Sequence, residues 1–251
     1  MFAGHGSPFN LFQDNDFTRS LKAHARTLPP VDVVVVISAH WFTRGTFVTS
    51  DERPKMVYDY FGFPREFYEY VYPASGSPET ARKLVEALPE KARTSDQWGI
   101  DHAATIPLQH LFPGADVPVV ELSVDATRPP EYHYELGRRL RPFREEGVLF
   151  VGSGNLVHTF REFSWEQFCP PFPWALELDA IQKEALLRGD VDVLVHPERV
   201  PLSARGFPTL DHYLPALYIA GMQGSKERVK FVHESFQHGS VSHRTFTFES
   251  L

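Results

Sequence analysis

Residues 31–39 read VDVVVVISA, a run of β-branched and small apolar side chains with almost no polar interruption. A strand with one wet face alternates apolar and polar residues; a continuous apolar run suits a strand covered on both sides. Cover on both faces calls for helices above and below the sheet, and therefore for crossover connections between parallel strands. Residues 117–124 and 148–152 repeat the signature, residues 1–3 read as a short first strand, and residues 246–249 as a closing edge strand. Helical periodicity predicts helices over residues 16–28, 78–88, 130–145, 174–188 and 212–222. Ser77-Pro78-Glu79 supplies an N-cap followed by a first-turn proline. The 21 prolines are scattered and no internal repeat or linker stands out. The expected fold is α/β, one domain over residues 1–251, its central, mostly parallel sheet flanked by helices.

Several function classes fall away early. A formal charge of −7 argues against general nucleic-acid binding, which needs a basic surface. The longest strongly apolar run is far too short for a membrane span, so no membrane partner is expected. Cys169 is the only cysteine, which excludes an internal disulfide and a multi-cysteine zinc site. Met-Phe-Ala-Gly-His-Gly has neither the basic nor the apolar region of a secretory signal, so the cytoplasm is the expected compartment.

What remains is a chain with 12 histidines, some at informative places. Ligands of open α/β sheets bind beyond the carboxyl ends of the strands. His40 follows the 31–39 strand directly, His5 follows residues 1–3 between two glycines, and His158 lies just past residues 148–152. His102 precedes the 117–124 strand, and His212 lies in Asp211-His212-Tyr213 at the head of a predicted helix. One such histidine alone is more often a hydrogen-bonded structural residue; five at one rim point to a metal site at the carboxyl edge of the strands. His24, His110, His133, His196, His233 and His238 read as surface or structural residues, and His243 stays open because a final strand could reach the same rim. Neither a dinucleotide fingerprint, a phosphate loop nor a nucleophile elbow is present. Cys169, flanked by proline and aromatic residues, is expected to be buried rather than reactive. Residues 58–78 are too aromatic for a solvated loop and are expected to form a pocket wall or partner surface.

Taken in order along the chain, these pieces resemble the class III extradiol ring-cleavage dioxygenases, in their DOPA 4,5-dioxygenase-like branch. The resemblance rests on Gly4-His5-Gly6-Ser7-Pro8, Ser38-Ala39-His40-Trp41, Asp59-Tyr60-Phe61-Gly62-Phe63-Pro64 and Tyr72-Pro73-Ala74-Ser75-Gly76. It continues through Asp101-His102, Ser153-Gly154-Asn155-Leu156-Val157-His158, Trp174-Ala175 and the stretch from Pro208 through Asp211-His212 to Pro215. It implies a mononuclear metal, Fe(II) for activity and zinc in isolated protein, held by His5, His40 and His212. His158 matches the acid–base histidine and is a fourth ligand in a zinc-loaded resting state; His102 matches a second histidine near the oxygen site. The implied partners are a DOPA-like or otherwise substituted catechol and O2. Trp41, Tyr60, Phe61 and Phe63 are the candidates for packing the substrate ring. Ala103-Ala104-Thr105 stands where the family has a Gly-Thr-Trp-like stretch, and the smaller residues are expected to widen the pocket. The rival readings are a zinc-dependent hydrolase and a non-catalytic metal- or peptide-binding protein of the same fold.

Overall fold

The computed structural model describes residues 1–89 and 91–251. Ten strands occur among them: β1 (Phe2–Gly4), β2 (Val33–Thr43), β3 (Phe47–Thr49), β4 (Arg93–Ser95), β5 (Val119–Asp125), β6 (Val148–Gly154), β7 (Glu227–His233), β8 (Phe236–Gln237), β9 (Val241–Ser242) and β10 (Thr245–Ser250). Eight of them form one sheet in the order β4-β3-β5-β2-β6-β1-β10-β7, and β8 and β9 form a separate hairpin. The pairs β5–β2, β2–β6, β6–β1 and β3–β4 are parallel, whereas β3–β5, β1–β10 and β10–β7 are antiparallel. The sheet is mostly parallel and joins strands from both ends of the chain.

The apolar run in β2 is explained by its two faces. Val33, Val35 and Ile37 enter one core with Leu84, Leu136, Leu140, Leu217 and Ile219; Val34 and Val36 enter another with Phe17, Leu21, Ile106 and Leu108. Side chains alternate across a strand, so a fully covered strand must be apolar at every position. Each such Val or Ile contributes about 1.5–3 kcal/mol of burial free energy. The covering helices are α1 (Asp16–Ala25), α2 (Arg65–Glu69), α3 (Pro78–Ala87), α4 (His102–Leu111), α5 (Pro130–Leu140), α6 (Pro173–Arg188), α7 (Val191–Val195), α8 (Ser203–Gly206) and α9 (Leu214–Gly221). The first core draws on α3, α5, α6 and α9, the second on α1, α2 and α4.

Some expectations need correction. Residues 246–249 do form a strand, but β10 lies between β1 and β7, so β7 is the edge. The helix expected over residues 130–145 stops at Leu140 and continues as a tighter 3-10 turn over Arg141–Glu146. Pro142, which lacks a backbone N–H, sits where the α-helical ladder gives way. His212 precedes α9 rather than lying inside it. Cys169 is half-buried rather than buried.

Several buried histidines lie outside the strand-end cluster. His133 is fully buried against Tyr218, and burial lowers its pKa to about 4. His243 is buried beside Phe17 and Asn10, and burial lowers its pKa to about 3. The unfolded chain binds protons on these residues near pH 6.5 while the folded chain refuses them. Stability is therefore fully present above about pH 6.5 and falls as the solution is acidified. At pH 5 the loss is ~2 kcal/mol for each of the two residues. The thermal midpoint should fall by more than about 5 °C between pH 7.5 and pH 5. The fall should persist after chelation of any metal, since neither residue is a candidate ligand. A flat profile would contradict the burial argument.

Candidate metal centre

The carboxyl ends of β1, β2 and β6 lie side by side in the sheet, and the strand-end histidines collect there. His5 directly follows β1, and its N–H donates to the Gly154 carbonyl at 3.1 Å. Gly6 adopts φ +63°, and a Cβ there would fall 1.9 Å from His243 Nε2, so only glycine fits beside His5. His40 sits where β2 departs from its ladder: Ile37 pairs with Leu122 but Phe42 with Val124, so the extra residues of β2 bulge out. Bulges re-aim side chains, and this one presents His40 at the end of the sheet. The turn is secured by Ser38, whose Oγ accepts from the His40 N–H at 3.1 Å and donates to Asp101 at 2.5 Å.

His102 is the first residue of α4, capped by Asp101, whose Oδ1 accepts from the Ala104 N–H at 3.0 Å. His158 lies in the loop after β6, tied by its N–H to the Gly206 carbonyl at 2.7 Å. The His212 segment lies flat on the end of β6, where the Asn155 N–H donates to its carbonyl at 2.9 Å. A Cβ on Gly154 would come within 2.1 Å of that oxygen, so glycine is what permits the approach.

These five rings form a continuous cluster. Centroids are 5.3 Å apart for His5–His40, 5.4 Å for His5–His212, 5.0 Å for His40–His212 and 3.9 Å for His40–His102. His158 stacks on His212 at 3.7 Å with the planes 4° apart. Ligand-capable nitrogens of His5, His40 and His102 all lie within 4.8 Å of one another.

Within the cluster, two buried imidazole nitrogens have no hydrogen-bond partner: His40 Nε2, and His212 Nδ1, which lies 3.3 Å from Asp211 Oδ1 without bonding to it. Buried polar atoms are rarely left unpaired, and two among clustered imidazoles fit a metal ion. The neighbours set the tautomers. Asp59 Oδ1 lies 2.7 Å from His102 Nδ1 and Asp59 Oδ2 lies 2.8 Å from His40 Nδ1, so each Nδ1 carries its proton toward the carboxylate. Ser153 Oγ donates to the Ala103 carbonyl at 2.6 Å and so accepts from His5 Nδ1 at 3.0 Å. Nε2 of His5, His40 and His102 is then the free lone pair.

Electrostatics keep most of these rings neutral. Burial, helped by the other imidazoles, holds His5 well below its ordinary pKa. Burial and the neighbouring His212 do the same for His158. His212 is lowered by burial, with Asp211 opposing, and His102 by burial and His40, with Asp59 opposing. Burial also works against a charge on His40, but Asp59 outweighs it and His40 is raised. Asp59, although desolvated, is held well below the usual carboxylate range by His102 and His40.

The aromatic candidates separate. Tyr60 stands edge-on to His102 at 5.3 Å, and Phe63 packs on Tyr60 at 5.3 Å. Trp41 is buried in a stack with Trp98 at 5.8 Å. Phe61 is 92% exposed and points away from the packed segment. Ala104 and Thr105 are buried in α4, so the expectation that they widen an open pocket fails; a solvent-filled wall cannot be lined by residues that water does not reach.

Sequence reasoning missed Asp59, which was seen only as part of an aromatic motif, and Phe160, which stands edge-on to His158 at 4.9 Å. It also missed the buried carboxyl pair Asp101 and Glu121 behind α4. Trp98 Nε1 donates to both, and the Asp101 N–H donates to Glu121 at 2.9 Å. Burial and Asp101 push the Glu121 carboxyl well above its usual range. A single acidic residue between two tyrosines, Tyr58-Asp59-Tyr60, was the one available signal for Asp59.

Residues 5–249 match the family model described as "Catalytic LigB subunit of aromatic ring-opening dioxygenase". A protein of Escherichia coli (strain K12) named 4,5-DOPA dioxygenase extradiol is 42% identical over 96% of this chain and 91% of its own length. A protein of that name from Portulaca grandiflora is 32% identical over 100% of this chain and 95% of its own. The crystal structure of uncharacterized protein JW3007 from Escherichia coli K12 superposes with a TM-score of 0.86 at 37% identity, covering 98% of this chain and 97% of that one. With the histidine cluster at the strand ends and a match spanning nearly the whole sequence, this chain belongs to the LigB family of aromatic ring-opening dioxygenases.

Proposed function

We propose that this enzyme of the ring-opening dioxygenase family cleaves a catechol beside its diol, and that His5, His40 and His212 hold a single Fe(II). The observation that carries the ligand assignment is the pair of unpartnered buried nitrogens, His40 Nε2 and His212 Nδ1, with His5 in ring contact with both residues. Bound iron would supply the site at which the diol and O2 meet; the all-histidine set also suits zinc, with His158 as the fourth ligand. Held neutral by its surroundings, His158 enters as a base, takes a hydroxyl proton from the catechol and later returns it. His102, its Nδ1 committed to Asp59, would be the polar group that faces oxygen.

The substrate ring would lie between aromatic side chains. Ring contacts run from Tyr60 through His102, His40, His212 and His158 to Phe160, so an aromatic group stands at each end of the histidine row. A flat ring suits such walls better than an aliphatic diol. DOPA-like catechols are the proposed class, as the names of the relatives suggest. No helix among the described residues is long and apolar enough to cross a membrane. A cytoplasmic location is proposed with it, in keeping with the one free cysteine.

Anaerobic loading with Fe(II), followed by air and L-DOPA or caffeate, tests the reading. Oxygen uptake with a yellow semialdehyde product is expected. Zinc-dependent hydrolysis of esters or amides would favour the hydrolase instead, and silence in both assays a binding protein.

A further inference from the structure

We propose that Asp59 is a positioning residue that locks His40 and His102 together, one carboxylate orienting both a metal ligand and the oxygen-facing histidine. The inference rests on the metal assignment above. An all-histidine ligand set brings no negative charge to the metal. Asp59 brings one directly behind it, with its two oxygens divided between two rings: Oδ1 hydrogen-bonded to His102 Nδ1 at 2.7 Å, and Oδ2 in an ion-pair contact 2.8 Å from His40 Nδ1. The same Oδ1 accepts from the His102 N–H at 3.3 Å, so the carboxylate also sits at the positive end of α4. Asp59 is 13% exposed and its neighbours Tyr58 and Tyr60 are anchored through their hydroxyls to the Tyr70 and Phe67 carbonyls. The aromatic segment thus serves as a clamp that delivers one acceptor pair to the metal centre. Because both rings share it, a change at Asp59 reaches the metal and the oxygen side at once.

Asparagine is the informative replacement. It keeps the shape of aspartate but offers one acceptor and one NH2, so one of the two Nδ1–H groups meets a donor and its ring must change tautomer or turn. Zinc affinity, measured by competition with a chromophoric chelator, should fall about 10–100-fold in Asp59→Asn. Nitrogen-15 spectra of the metal-free protein should show both His40 and His102 protonated at Nδ1 in the wild type and only one of them in Asp59→Asn. Asp59→Ala removes the repulsion and admits water, so it should bind zinc no worse than Asp59→Asn. If Asp59 only fills space, the order reverses: Asp59→Asn binds as the wild type does and Asp59→Ala is the damaged protein. That order, or unchanged tautomers in Asp59→Asn, overturns the proposal. A wild-type protein that binds no zinc overturns the metal assignment beneath it, and the proposal with it.

Discussion

His40→Ala should lose its metal: after dialysis the variant should carry little of the wild-type content, with affinity weakened by about 100-fold or more. Removing one of three ligands exceeds the 10–100-fold cost of disturbing a supporting residue. His40 is the strongest choice because its Nε2 is buried without a partner and Asp59 fixes its tautomer. Elemental analysis of the purified variants is the measurement. His212→Ala should behave alike, whereas His102→Ala should keep most of its metal and lose turnover. The comparison matters because His102 shares the tight group with His5 and His40. Metal retained in His212→Ala and lost in His102→Ala would move the third ligand from one helix start to the other.

His158→Ala should lower kcat on a catechol by about 10²–10⁴-fold, the usual worth of a general acid–base group, with little change in KM. The stack on His212 at 3.7 Å fixes the ring face, and burial keeps the ring neutral, with a lone pair free. A near-normal kcat would remove His158 from the reaction. Loss of metal as well as turnover would mark it as a ligand in the working enzyme. Phe160, in contact with the same ring, should affect KM more than kcat if it bounds the substrate.

Much of this molecule could be read along the chain. The covered strand was legible because burial on both faces forbids polar residues anywhere in 31–39, and local sequence carries that constraint in full. The placing of His5 and His158 after their strands was legible for the same reason, since parallel strands bring their carboxyl ends to one rim. His40 was read as following its strand but lies within β2, at the bulge before its last residues. What the histidines touch was not. Asp59 comes from a loop, and its carboxylate reaches His40 and His102 only because the aromatic segment folds back, a contact over 43 residues from His102 that leaves no periodic trace. The stack of Trp41 on Trp98 was not legible either, because adjacency to His40 says nothing about where a ring packs once the strand bulges. Ala104 and Thr105 were misjudged for a related reason, since a helix has an inner face that only its packing reveals. Local sequence determined the central covered strands, the main covering helices and which histidines lie near the strand ends, because covalent order and side-chain period act at short range. The tertiary structure alone decided which nitrogens meet, which stay unpartnered and which carboxylate stands behind them, because those depend on how distant segments close over the end of the sheet.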